Sequence, residues 1–200
     1  MKNGQEPKRH FFSSEDERDA IMAFCRTTKY ARLWPIFQLM VYTGLRPIEA
    51  GRLEWQDVEL KPRGEIRVWH RKGRGQKRWR AIPLHAKAVE AIEELARRVP
   101  QRVGKVVRTA AGLPYEMGPD GSRTPTFAAE WARMLKHFVT QSGGRYGRCY
   151  DLRHTFASLL RKKGRQLDEV GQLLGHSNLN VTQRYAHIGS DELRSAIDAL

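Results

Sequence analysis

Apolar positions recur at helical spacing early in the chain, alternate through its second quarter, and return to helical spacing towards its end. Ile21, Phe24 and Cys25 give a first short helix one apolar face, and Ser14 with Glu17 has the spacing of a capping box. Phe11-Phe12 is placed to staple that helix, and residues 1–11 read as a tether. A second helix begins near Pro35 and buries Ile36, Phe37, Leu39, Met40 and Val41. It breaks at Thr43-Gly44, and Pro47 restarts a helix through Leu53. From Asp57 to Leu84 the period is two. Val58 and Leu60, then Ile66 and Val68, then Trp79, Ala81 and Pro83 mark three short strands.

Helix returns over His85–Val99, with Ala88, Val89, Ile92 and Leu95 inward and Glu90, Glu93, Glu94 and Arg97 on a wet outer face. Residues 100–124 read as loop with a brief strand at Val103–Val107. The next helix, Thr126–Gln141, buries Phe127, Trp131, Leu135 and Phe138, with His137 on the surface or half-buried. Asp151 is expected to cap a helix striped by Leu152, Phe156, Leu159 and Leu160 that ends at Gly164. Another, Leu167–Leu174, stops at Gly175 and presents His176 in a loop. Ser177 can cap a third that carries Tyr185 about 12 Å from its start. Asp191–Leu200 is a last short helix. The pattern predicts a mainly helical α+β domain over residues 12–200, with a small three-stranded antiparallel sheet.

Charge sharpens this outline. The 36 Lys and Arg against 22 Asp and Glu give a formal +14, which points to a polyanionic partner. The alternating segment contains His70-Arg71-Lys72-Gly73-Arg74-Gly75-Gln76-Lys77-Arg78, a hairpin tip with five cations in nine positions. Arg71, Lys72, Arg74, Lys77 and Arg78 are therefore candidate DNA-phosphate contacts. Two cysteines, Cys25 and Cys149, offer neither a disulfide framework nor a zinc ligand set, and a reducing, cytosolic setting is expected. There is no apolar signal core and no run of 18 apolar residues, so neither secretion nor a membrane span is expected.

Two arginines sit where anions bind well. Arg46 lies in the break before the Pro47 helix, with Glu49 one turn on and on the same face. Arg153 lies in the first turn of its helix, beside free backbone N–H groups. Taken in order, Thr43-Gly44-Leu45-Arg46-Pro47-Ile48-Glu49, Asp151-Leu152-Arg153-His154-Thr155-Phe156-Ala157, Leu174-Gly175-His176-Ser177 and Tyr185 nine residues later form a set. In order and spacing this set resembles the boxes and nucleophile of the tyrosine recombinase, or phage integrase, family. The resemblance covers the family's catalytic domain, here about residues 12–190.

The resemblance implies that Tyr185 attacks a DNA phosphodiester and leaves a 3′-phosphotyrosine and a free 5′-hydroxyl. It makes Arg46, Lys72, Arg153, His176 and Tyr185 the catalytic set, with Glu49 and Tyr150 supporting, and it calls for no metal and no cofactor. A guanidinium suits the charged transition state, being planar, permanently charged and bidentate towards phosphate. The family's general acid is a hairpin lysine. Counting forward from Ile66–Trp69 selects Lys72, and counting back from Ile82-Pro83-Leu84 leaves Lys77 open. Tyr150 stands where the family usually has histidine, and a phenol is a poor base at neutral pH, so cleavage is expected to be slow. His154 reads as a packing residue and His187 as a bystander.

The implied partners are double-stranded DNA and further protomers, a tetramer at synapsis and a monomer when free, in a bacterial or phage cytoplasm at the nucleoid. The family's N-terminal clamp domain has no counterpart before residue 12. The expectation is a fragment or a minimal member, with weak, salt-steep binding. Two other outcomes stay open: a DNA-binding module of this fold with impaired cleavage, and relaxation in the manner of type IB topoisomerases.

Overall fold

The second helix is apolar on every side, and other helices pack round it. A computed structural model describes residues 15–72, 76–115, 127–143, 147–175, 190–198 and 200. The elements are α1 (Glu15–Thr27), α2 (Trp34–Thr43), α3 (Pro47–Arg52), a 3-10 turn (Trp55–Asp57), β1 (Val58–Glu59), β2 (Glu65–Lys72) and β3 (Gln76–Pro83). Then come α4 (Ala86–Arg98), α5 (Phe127–Ser142), α6 (Asp151–Lys162), α7 (Leu167–Leu174) and α8 (Ser190–Asp198). Every residue of α2 from Pro35 to Thr43 is buried, as an all-round apolar helix must be. It packs against α1, α4 and α6. Its polar member, Gln38, donates to the carbonyl of Lys87 at 2.7 Å and to Glu90 at 3.0 Å.

Helix α2 stops at Gly44, which has φ 65° and donates its N–H to the Met40 carbonyl. A Cβ at Gly44 would stand 2.6 Å from Phe156 of α6, so both the turn and the helix contact require glycine. Pro47 opens α3, where a missing N–H costs nothing, and the Glu49 carboxylate accepts the Arg46 N–H at 2.8 Å.

The sheet runs β1-β2-β3, antiparallel throughout, with Ile66 opposite Ile82, Val68 opposite Arg80 and Trp69 opposite Trp79. Ile66, Val68, Arg80 and Ile82 face inward, while Trp69 and Trp79 are exposed. The Trp79–Ala81 alternation thus marks the outer face of β3, and the buried face carries an arginine. Strand β1 ends at Glu59, short of Leu60.

Three further expectations change. Val103–Val107 forms no strand; its chain makes one bridge, Lys105 with Glu54, and buries Val106 and Val107. The outer face of α4 is not simply wet, because Glu90 also binds Arg26 at 2.9 Å and Glu94 binds Arg98 at 3.0 Å. Helix α6 begins with Asp151 itself, after Tyr150 at the N-cap, and the Asp151 carboxylate accepts the Arg148 N–H of the preceding turn at 2.6 Å. Helix α8 packs on α7 and β3, burying Ala196 and Ile197. Its Arg194 donates to the carbonyls of Arg63, Gly64 and Leu84. His137 is half-buried, edge-on to Phe24 and Tyr30. The Ser14 cap, the Phe11-Phe12 staple and the Ser177 helix lie outside the described residues. Among those described, no helix is long and apolar enough to cross a membrane.

Candidate functional site

Three segments far apart in sequence meet on one buried carboxylate. Glu49, in the first turn of α3, is 7% exposed. Its Oε1 accepts Nη1 of Arg46 at 2.7 Å and Nη1 of Arg80 at 3.1 Å. Its Oε2 accepts Nη2 of Arg80 at 3.0 Å and lies 3.7 Å from Nη1 of Arg153. Arg153 is 2% exposed, and its guanidinium donates to the carbonyls of Gly44 at 2.8 Å and Leu174 at 2.5 Å. Arg46 keeps 31% of its side chain in solvent and is the open member of the set.

Three guanidiniums against one carboxylate leave two positive charges uncompensated at this junction. Burial by itself raises the Glu49 pKa, but the hydrogen bonds and charge of Arg80, followed by those of Arg46, outweigh it and hold the carboxyl below its ordinary 4.5. Burial, with the repulsion of Arg46, lowers the Arg153 pKa to about 10, so it stays charged at neutral pH. Fixed, desolvated cations with spare N–H groups are suited to a phosphate and to charge that develops on it.

The structure brings together Arg46, Glu49 and Arg153, as the sequence predicts, and adds Arg80. The sequence holds one signal for Arg80, an arginine at a position whose strand parity matches Ile82. Tyr150 is 43% exposed at the mouth of α6, within electrostatic reach of Arg153. The Tyr150 ring stands edge-on to His154, with centroids 5.3 Å apart. In the hairpin, Arg71 pairs with Lys77 and Lys72 with Gln76, while Arg78 pairs with His70. The side chains of that tip, Arg74, His176, Tyr185 and His187 lie outside the described residues.

The sequence model of the phage integrase family matches residues 12–192. The tyrosine recombinase XerC of Neisseria meningitidis serogroup C is 32% identical over 166 residues, covering 82% of this chain and 49% of that protein. XerD of Staphylococcus saprophyticus is 26% identical over 184 residues, covering 89% of this chain and 59% of that protein. The chain spans about half the length of the XerC relatives it matches. Among solved structures, the Tn1549 transposon integrase in complex with circular intermediate DNA superposes with a TM-score of 0.69 at 18% identity, over 98% of this chain and 66% of that one. The XerA recombinase gives 0.66 at 23% identity, over 94% and 64%. At these identities the structures establish a common fold.

Proposed function

Since the chain belongs to the phage integrase family, we propose that it cleaves and rejoins double-stranded DNA at specific sites through a tyrosine nucleophile. The phenolic oxygen of Tyr185 attacks the scissile phosphorus and its proton passes to solvent. The P–O5′ bond breaks, and Lys72 gives a proton to the departing 5′ oxygen. One phosphoester replaces another, so reversal of the step joins the strand without an energy source. Arg46 and Arg153 neutralise the non-bridging oxygens, each worth about 3 kcal/mol by analogy with an oxyanion donor, and His176 adds a hydrogen bond. Glu49 orients the arginines and takes no proton. The basic hairpin binds the flanking phosphates.

The observation that carries this reading is the meeting of Arg46 and Arg153, from boxes far apart in sequence, on Glu49. The hairpin register supports Lys72 over Lys77: position 72 has the strand parity of Val68 and pairs with Gln76, two steps beyond the His70–Arg78 pair. Position 77 falls on the opposite parity, with Trp79.

A pool of nicked duplexes with randomised flanks tests the proposal, because a nick near the scissile bond lets the cut end diffuse away and traps the enzyme on DNA. The expected result is a detergent-resistant adduct, mapped by mass spectrometry to Tyr185 and abolished by Tyr185→Phe. Lys72→Ala should lose it and regain it with a 5′-thio leaving group, which needs no acid. Binding of the pool with no adduct would instead make the chain a non-cleaving module of the same fold. Relaxation of any supercoiled plasmid would favour the topoisomerase-like reading.

A further inference from the structure

Arg80 is the one guanidinium of the cluster to which the cleavage step assigns no task. It is 9% exposed, and its fork grips both oxygens of Glu49 while its Nε donates to the Leu173 carbonyl at 2.9 Å. The guanidinium lies against the α carbon of Gly175: a Cβ there would stand 2.9 Å from Cδ and Nη1 of Arg80. Gly175 has φ 66°, the left-handed turn that ends α7. The next carbonyl, of Leu174, is taken by Arg153. Carbonyls of the last turn of α7 are thus held by two arginines that also bear on Glu49, and the residue that follows Gly175 is His176.

We propose that Arg80 is a positioning residue for DNA cleavage, one guanidinium that ties the turn from which His176 departs to the carboxylate that holds Arg46. The proposal rests on the recombinase reading above. A lysine could satisfy Glu49 or Leu173 but not both oxygens and the carbonyl together, since it is a point charge without the planar fork. Without the tie, each catalytic group keeps its identity and loses its register with the others.

Arg80→Lys and Arg80→Met in the full chain test this by single-turnover adduct formation on the nicked duplex. Affinity is measured by mobility shift, and the folded fraction by urea titration. The cleavage rate per folded molecule should fall about 100-fold, as expected for a roughly 1 Å misplacement of catalytic groups. Affinity should change by less than about threefold, a loss confined to the chemical step. Lysine should rescue little more than methionine, and it carries the test should methionine fail to fold. On a duplex with a methylphosphonate at the scissile position, the loss should shrink to about tenfold or less, because the neutral oxygen no longer needs well-placed arginines. A merely structural role would lower the folded fraction and depress both substrates alike. Equal losses on both substrates, or a normal rate for Arg80→Lys, overturn the proposal alone. A wild-type protein that forms no adduct overturns the recombinase reading and this proposal with it.

Discussion

Glu49 is buried among three guanidiniums, and its substitution separates charge balance from simple packing. Glutamine keeps the shape but leaves Arg80 and Arg153 as buried cations without a counter-charge, and breaking such a set costs about 3 kcal/mol or more. The native carboxyl titrates below its ordinary value, with Arg80 the principal partner that lowers it. A group with a depressed folded pKa contributes stability that is present above its unfolded pKa and lost as pH falls through the folded one. Wild type should therefore exceed Glu49→Gln in urea midpoint at pH 7, and the gap should close as the medium is acidified below pH 4.5. A gap that stays constant into acid would show that Glu49 acts by shape. Arg46 and Glu49 were legible in the sequence because they are linked locally, by the break at Gly44, by Pro47 and by one helical turn. Arg80 was not. The alternation of Trp79, Ala81 and Pro83 assigns Arg80 to the other face of its strand, and only the pairing with buried Val68 reveals that this face is the inner one.

At the scale of elements, the site depends on how closely α2 and α6 approach. Gly44 supplies both the left-handed turn and the space for Phe156, and its carbonyl receives Arg153. Gly44→Ala should cost about 3 kcal/mol, the sum of left-handed strain and an overpacked contact. Gly112→Ala is the matched control, since φ there is 75° but nothing lies within 4 Å of the added carbon. It should lose only the backbone share, about 1 kcal/mol. Equal losses in the two variants, read from urea midpoints, would remove the close helix contact from the account. The helices were readable because their apolar faces repeat and their stops are glycines in left-handed turns, as at Gly44 and Gly175. The start of α6 was read differently because Asp151 can serve either as a cap or, as it does, as the acceptor for the turn before it. Val103–Val107 has strand-like composition, yet its backbone partners are the Leu53 and Trp55 segment, which no local pattern announces.

At the scale of the whole molecule, three helix ends converge: α2 ends, α6 begins and α7 ends at one place, and each brings a group to it. The sequence implied this through motif order, but spacing alone could not bring Arg46 and Arg153 onto one carboxylate; the burial of α2 under α4 and α6 does that. In the proposed reaction, charge at this scale concerns affinity, whereas the chemical step depends on whether both guanidiniums serve a single phosphorus. Groups that serve one transition state lose activity together, so their substitutions do not multiply. The most direct measurement is a double-mutant cycle of Arg46→Lys and Arg153→Lys, read as the single-turnover rate of adduct formation on the nicked duplex. Each single variant should lose roughly 100- to 1,000-fold, and the pair should lose no more than about tenfold beyond the worse single. Fully multiplicative losses, or near-normal cleavage by either single variant, would contradict the convergence of the two arginines on one phosphate.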